Sequence, residues 1–377
     1  MKLDFNEGVH KHLTDYRYEM GPIRPPCEAP SLLLRVTRNC EWNRCLFCPV
    51  YKDAEFSIRP IEHILRDIDY VRKYVEFLQN PADDVVIEEP LAYDSAMRWT
   101  SHGMKSVFLQ DADSLVIGAK ELTTVLLYLK ENFPNIERIT SYARSSTINK
   151  MSVEDLTTLN KVGLTRIHVG LESGSDSVLK MVRKGASKSI HIQAGLKVKE
   201  AGMELSEYFM PGLGGRSLSD EHAIESADAL NQIGPDFIRL RPLAFPTRAP
   251  MYELMISNQF DRCNDIEVVR ELHTFIEKLE DISSYLVSDH ILNLFPDLKG
   301  ELPGAKTHLM SILQRFLDLD EEEQMLYRFG RRLGAFTSLD DLHDVSLRTR
   351  ISQIMSENNV NLQNIDGLMD QMMQRFM

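Results

Sequence analysis

The chain has 377 residues, a formal net charge of −13, 43% hydrophobic and 26% charged residues, an ordinary globular composition with enough apolar side chains for a large core. The acidic balance argues against sequence-independent nucleic-acid binding, which needs a basic footprint. No apolar run reaches membrane-spanning length and residues 1–20 lack the apolar core of a signal peptide, so a cytoplasmic location is expected.

From residue 32 onward, short apolar strands alternate with helical patterns. Strands are predicted at 32–37, 106–111, 137–142, 165–171, 203–210 and 236–243, with helices near 60–79, 119–132, 152–162, 175–183, 187–201 and 219–232. Gly163 and Gly202 lie just past two of these helices, as C-terminal caps do. Ser219, with acidic residues behind it, is expected to open the helix over 219–232. Residues 81–104 interrupt the rhythm and read as an insertion. After about 285 only helical patterns remain. Strands followed in turn by helices imply βα units and a parallel sheet. The expected organisation is an N-terminal extension over 1–30, a βα region over 31–284 and a helical C-terminal domain over 285–377.

Strand alternation sorts the side chains by face. Arg166, His168, Gly170 and Glu172 share one face of the fourth strand, against Ile167, Val169 and Leu171 on the other. Thr140, Tyr142 and Arg144 line one face of the third, Arg35 and Thr37 one face of the first, and Arg239 and Arg241 one face of the sixth. An open doubly wound sheet buries both faces and is apolar on both. The polar faces here favour an α/β fold built as a partial (β/α)6 TIM-like barrel with a ligand-filled lumen and a helical C-terminal unit. Arginine suits recognition of carboxylate or phosphate, so Arg35, Arg166, Arg239 and Arg241 point to an anionic substrate. Arg239, Arg241, His168 and Tyr208 are the candidate catalytic residues, the last two as groups able to exchange a proton. Asp289 and His290, which open the C-terminal region, are candidates to reach the same place.

The stretch "RVTRNCEWNRCLFCPVYK" over 35–52 places Cys40, Cys45 and Cys48 within nine positions. Clustered thiols suit zinc or an iron–sulfur centre. Structural zinc wants four ligands, and no second C-x-x-C pair exists to complete a ribbon. Three cysteines can hold three irons of a cubane and leave the fourth open to a small chelator. Cys27 and Cys263 stand alone and read as structural thiols.

This loop, placed after the first strand of a βα series, resembles the signature of the radical S-adenosylmethionine (SAM) superfamily. Phe47 in "CLFC" matches the usual aromatic residue, while the spacing C-x4-C-x2-C has one residue more than the usual C-x3-C-x2-C. "VFLQDADSL" over 107–115 stands where that family binds the methionine amino group, with Gln110, Asp111 and Asp113 as acceptors in place of the usual glycines and glutamate. "HVGLESGSDSVLKMVRKG" over 168–185 is similar to the branch containing oxygen-independent coproporphyrinogen oxidase, the Elongator catalytic subunit and methylthiotransferases. There Glu172 and Ser173 match residues that help hold SAM. "YFMPGLGG" over 208–215 resembles the turn that packs on adenine, through Met210 and Gly212. The resemblance implies a [4Fe–4S] cluster on Cys40, Cys45 and Cys48. It also implies SAM as cosubstrate, Arg144 as the group for its carboxylate, and an electron donor such as flavodoxin or ferredoxin. The cofactor would supply a 5′-deoxyadenosyl radical that takes hydrogen from a substrate. Two other readings stay open: a radical methyltransferase or similar group-transfer enzyme, and a non-enzymatic haem or metal chaperone.

Overall fold

The strands predicted between 32 and 243 all form, but the sixth, expected over 236–243, stops at Leu240, so Arg241 lies just past it. In chain order the strands are β1 (Leu32–Arg35), β2 (Thr37–Arg38), β3 (Ser57–Ile58), β4 (Ser106–Gln110), β5 (Arg138–Ala143), β6 (Leu164–Glu172), β7 (Glu204–Phe209), β8 (Phe237–Leu240), β9 (Tyr285–Val287) and β10 (Gly300–Glu301). The computed structural model describes residues 16–81 and 86–374. The fold class is the expected one, α/β with a mostly parallel sheet of successive βα units. The chain divides into two units. One comprises Met1–Glu41, Asp53–Ile167 and Glu200–Met203; the other comprises Trp42–Lys52, His168–Lys199 and Glu204–Met377. The boundary cuts the cysteine segment after Glu41 and β6 after Ile167.

In the first unit, β1, β4 and β5 pair in parallel, with Arg35 beside Gln110 and Phe108 beside Thr140. That register keeps Arg35, Gln110 and Thr140 on one face and Leu34, Leu109 and Ser141 on the other, as alternation requires. The helix Ala119–Asn132 buries Leu122, Val125, Leu126 and Leu129, and the helix Ile61–Gln79 buries Ile64, Ile68, Val71 and Val75. Each such side chain contributes about 1.5–3 kcal/mol on leaving water. Ser152 caps the helix Val153–Lys161 by accepting from Asp155 N at 3.0 Å, and Gly163 closes its far end at φ 117°. The insertion before β4 folds as the helix Pro90–Ser101, fixed by buried Trp99, whose Nε1 donates to Ser106 O at 2.8 Å. Residues 16–23 lie across this unit as a strap. Glu19 pairs with Arg35 at 3.3 Å and Arg38 at 2.7 Å, and Tyr16 donates to Asp67 at 2.8 Å.

In the second unit, β7, β8 and β9 run parallel, with Tyr208, Arg239 and Val287 in register, and β10 returns antiparallel to β9. β9 and β10 correct the expectation that residues beyond 285 are helical only. Strands of three and two residues are too short to show a period of two. The helix containing Ser219 begins at Gly215, so Ser219 lies inside it and donates to Glu271 at 2.6 Å rather than capping. Helix Asp265–Lys278 opens on a reciprocal capping box between Asn264 and Glu267. One apolar core joins Phe209, Leu230, Phe275 and Ile276 to Phe316, Tyr327 and Met369 of the C-terminal helices and to Phe336 in the connection after Arg332. Phe209 stacks on Phe275 with ring centres 4.0 Å apart. Among the described residues no helix is long and apolar enough to cross a membrane.

Candidate active site

In the first unit the functional side chains follow the C-terminal ends of parallel strands, where βα folds carry their sites. Asp111, just past β4, is almost fully buried. It accepts from Arg35 Nη2 at 2.7 Å and Nε at 3.0 Å and from Asn39 N at 3.3 Å. Asn39 takes the left-handed conformation at φ 68° and its side chain donates to Glu55 O at 2.5 Å. Asp111 therefore fixes the backbone that leads into Cys40. Gly21 gives it room, since a Cβ there would stand 2.6 Å from Asp111 Oδ1. Arg35, expected to meet substrate, is held by this carboxylate and by Glu19. Gln110 is also committed: its Oε1 accepts from Gly21 N at 2.8 Å, and its Nε2 donates to Gly21 O at 3.1 Å and Ile23 O at 2.8 Å.

Asp113 differs from Asp111. It is buried, its Oδ2 accepts from Thr147 Oγ1 at 2.5 Å, and its Oδ1 has no partner. Burial pushes its carboxyl up to about 7; the Thr147 hydroxyl opposes the shift, Glu41 adds to it and Arg144 again opposes it. Arg144, one residue past β5, donates to Glu41 Oε1 at 2.9 Å. Glu41 adjoins Cys40 in the chain. Sequence reading did not single out Glu41 or Thr147, because neither belongs to a spaced motif.

In the second unit the rest of the cysteine segment is pinned by its main chain. Trp42 Nε1 donates to Arg183 O at 2.8 Å, Leu46 N to Val182 O at 2.9 Å, and Met251 N to Leu46 O at 2.9 Å. Lys52 Nζ reaches Asn43 O at 2.9 Å. Cys45 and Cys48 are half-buried within this frame. Phe47 packs with Val182, Met210 and Leu213, and Lys184 Nζ lies 5.8 Å from its ring centre.

Glu172, at the end of β6, adopts φ 63°. A left-handed conformation at a non-glycine residue is uncommon and costs about 1–2 kcal/mol. Its Oε1 accepts from Lys184 Nζ at 3.2 Å, while its buried Oε2 has no partner. Gly170 leaves room beside it, since a Cβ there would displace the Glu172 carboxylate and the Lys184 ammonium from their present contact. Glu207 is buried with neither oxygen hydrogen-bonded, the Leu171 main chain approaching without closing a bond. Burial raises its carboxyl well above the usual range; Lys184 opposes that shift and Glu172 reinforces it.

Ser173 is fixed by His222. His222 Nε2 donates to Met210 O at 3.0 Å, so Nδ1 accepts from the Ser173 hydroxyl at 2.8 Å. Burial holds this imidazole neutral, with its pKa lowered to about 4. Met210 N donates to Glu172 O at 3.0 Å. Gly212, at φ 84°, donates to Glu271 Oε1 at 2.7 Å. Phe47, Glu172, Ser173, Met210 and Gly212 thus lie in one neighbourhood of the second unit. His222, Lys184 and Glu207 are additions that only packing reveals.

On the substrate side, the His168 and Tyr208 rings lie 6.4 Å apart. Arg239 donates through Nε to Ser206 Oγ at 3.0 Å and forms an ion pair with Asp289 through Nη1. Arg241 is half-buried, and its amide donates to Phe209 O at 3.0 Å. His290 is held neutral, pushed down to about 4 by burial and by Arg241. Asp289 and His290 therefore lie beside Arg239 of β8 and Arg241 just past it. Cys263 has its thiol pushed up to about 12 by burial, which suits an unreactive role.

A profile of the radical SAM superfamily matches residues 34–227, more than half of the chain. The chain belongs to the radical SAM superfamily. It is accordingly an enzyme of the class that uses a [4Fe–4S] cluster and SAM, and such enzymes need a reductant and a substrate. A tRNA uridine(34) acetyltransferase of Methanocaldococcus infernus is 24% identical over 259 residues, covering 61% of this chain and 46% of that protein. The chain thus spans about half the length of that relative. Among solved structures, coproporphyrinogen III oxidase of Escherichia coli is similar at a TM-score of 0.45 and 13% identity, covering 73% of this chain and 56% of that one. The archaeal Elp3 of Methanocaldococcus infernus is similar at 0.40 and 15%, covering 49% of each chain. The residues of this radical SAM chain fit the two cofactors. Three thiols stand in nine positions, and Asp113 Oδ1 and Glu172 Oε2 are buried acceptors whose hydrogen bonds are not made within the protein. Such groups are costly unless a ligand satisfies them.

Proposed function

We propose that Cys40, Cys45 and Cys48 hold the cluster, and that the enzyme takes hydrogen from an anionic small molecule in the cytoplasm. The observation that carries the cofactor assignment is the pair of buried, unsatisfied carboxylate oxygens on Asp113 and Glu172. Asp113 Oδ1 would accept an amino N–H of SAM, and Arg144 would pair with its carboxylate. Glu172 Oε2 would accept a ligand hydroxyl or amino hydrogen, with Lys184 holding the carboxylate through Oε1. Ser173 and the Met210–Gly212 turn, fixed by His222 and Glu271, shape the adjoining wall. Bound SAM and a reduced cluster supply the 5′-deoxyadenosyl radical. Of Arg239 and Arg241, Arg241 is the better anchor for an anion, because Arg239 is already neutralised by Asp289. The net charge of −13 favours a metabolite over a polynucleotide, although the name of the archaeal relative places that protein's chemistry on tRNA.

Anaerobic reconstitution followed by dithionite tests this reading. Cluster absorption that is lost on Cys40→Ala, Cys45→Ala or Cys48→Ala but kept on Cys27→Ala, with SAM converted to 5′-deoxyadenosine and methionine, is the expected result. S-adenosylhomocysteine as the sole product would point to methyl transfer, and stoichiometric zinc without iron–sulfur absorption would overturn the assignment. Metabolites that accumulate in a deletion strain, assayed with Arg241→Ala against wild type, identify the substrate.

A further inference from the structure

Beside the cysteine segment the second unit carries an open cleft of about 670 Å³, lined in part by Trp42, Arg44, Lys180, Arg183 and Gly185. Arg44, Lys180 and Arg183 are exposed, and among the described residues none of them forms an ion pair. The one carboxylate in the cleft wall, Asp176, is capped by Lys188 N at 2.7 Å. Three cations against one carboxylate on this small surface contrast with a chain whose net charge is −13. They are also held in place. The Arg44 guanidinium lies 5.0 Å from the centre of the Trp42 ring, and Arg183 is in the left-handed conformation at φ 56°, its carbonyl accepting from Trp42. Gly185, at φ 75°, lets the indole lie flat, since a Cβ would enter the ring.

We propose that this cleft docks a small acidic electron-carrier protein, which rests on the reading of Cys40, Cys45 and Cys48 as cluster ligands. Arg44 adjoins Cys45, and Trp42 is three residues from it, so their Cα atoms lie within about 11 Å. A carrier seated on these side chains is brought next to the cysteine segment. One electron leaves the carrier and one enters the cluster; no bond or proton moves. Complementary charge of this kind acts mainly on encounter and specificity and is weakened by salt. An RNA would need a longer basic track than three side chains supply.

The test uses reconstituted protein and oxidised bacterial flavodoxin, with an acidic ferredoxin as a second probe. Binding of at least one carrier, weaker at 200 mM than at 50 mM salt by roughly tenfold, is expected. Arg44→Glu with Arg183→Glu weakens it at least tenfold, and Lys180→Glu weakens it in the same sense. Carrier-driven SAM cleavage falls accordingly, while dithionite-driven cleavage matches wild type. The docking proposal is overturned if neither carrier binds, if the charge reversals leave binding unchanged, or if they abolish tRNA binding instead. Failure of dithionite-driven cleavage in the wild-type protein would instead remove the cluster reading itself.

Discussion

Asp111 and Asp113 stand two residues apart and have opposite surroundings. The first is bound by Arg35 and Asn39, the second keeps a bare buried oxygen. Asp111→Asn removes the charge that holds Arg35 and the entry to the cysteine segment. It is expected to lower iron incorporation on reconstitution and to cost about 2–5 kcal/mol of stability, as loss of one partner of a buried charge pair does. Asp113→Asn is expected to leave iron content alone and weaken SAM binding by about tenfold or more, measured by calorimetry. The pH dependence has a definite sign. Asp113 is raised from 3.8 to about 7, so the folded protein holds this proton more tightly than the unfolded chain. Stability of the unliganded protein is therefore lost as pH rises through about 4 to 7. SAM affinity rises as pH climbs from 6 toward 7.5, because the carboxylate must be ionised to accept fully, and Asp113→Asn flattens that slope. A flat profile in the wild type would displace Asp113 from the site. The acceptor pair was visible in "LQDADSL", but not which aspartate is bound and which is bare. That depends on Asn39, Arg35 and Thr147, from 34 to 76 residues away in the chain.

At the scale of elements, the strands from 32 to 243 were legible because each is a run of apolar residues ended by a turn residue or a charge. β9 was not, since "YLV" carries no period. The turn after β6 was recognised by resemblance, yet its mechanics lie in packing: Gly170 clears Glu172, Gly174 clears the Glu225 main chain, and Gly185 clears Trp42. The last is open to experiment. Gly185→Ala places a Cβ at φ 75°, which costs about 1–2 kcal/mol in the backbone alone, and drives the indole off its seat. The protein has two tryptophans, and Trp99 is buried. In a Trp99→Phe background the emission of Trp42 is expected to shift to the red in Gly185→Ala, with slower recovery of the cluster after oxidation. Unchanged emission would mean that Trp42 is not fixed by this glycine.

The sequence marks 285–377 as helical, and the helices Lys306–Leu317, Glu321–Arg332, Val345–Glu357 and Ile365–Gln374 are there. Helical periodicity reveals an apolar face but not its partner. Phe316, Tyr327 and Met369 join the core that also holds Phe209 and Phe275, and Tyr327 OH donates to Leu294 O at 3.2 Å. Tyr327→Ala should cost about 3–5 kcal/mol. Amide exchange is then expected to accelerate in 204–279 as well as in 306–357, because one core serves both. Acceleration confined to 306–357 would show that the C-terminal helices open alone.

The strap over 16–23 is bonded to Gln110, 89 residues beyond Gly21, and to Arg35, Arg38 and Arg59. Translation therefore delivers the strap long before its seat is complete. At about 5–20 residues per second, β4 follows Gly21 out of the ribosome by roughly 5–20 s. During that interval Glu19 and Tyr16 can already meet Arg35, Arg38, Arg59 and Asp67, but Gly21 and Ile23 lack the Gln110 amide that closes the strap. A nascent chain stalled before Ser106 should be cut by protease within the strap, and one stalled well past Asp113 should resist. In the living cell the strap would then report how far synthesis has gone.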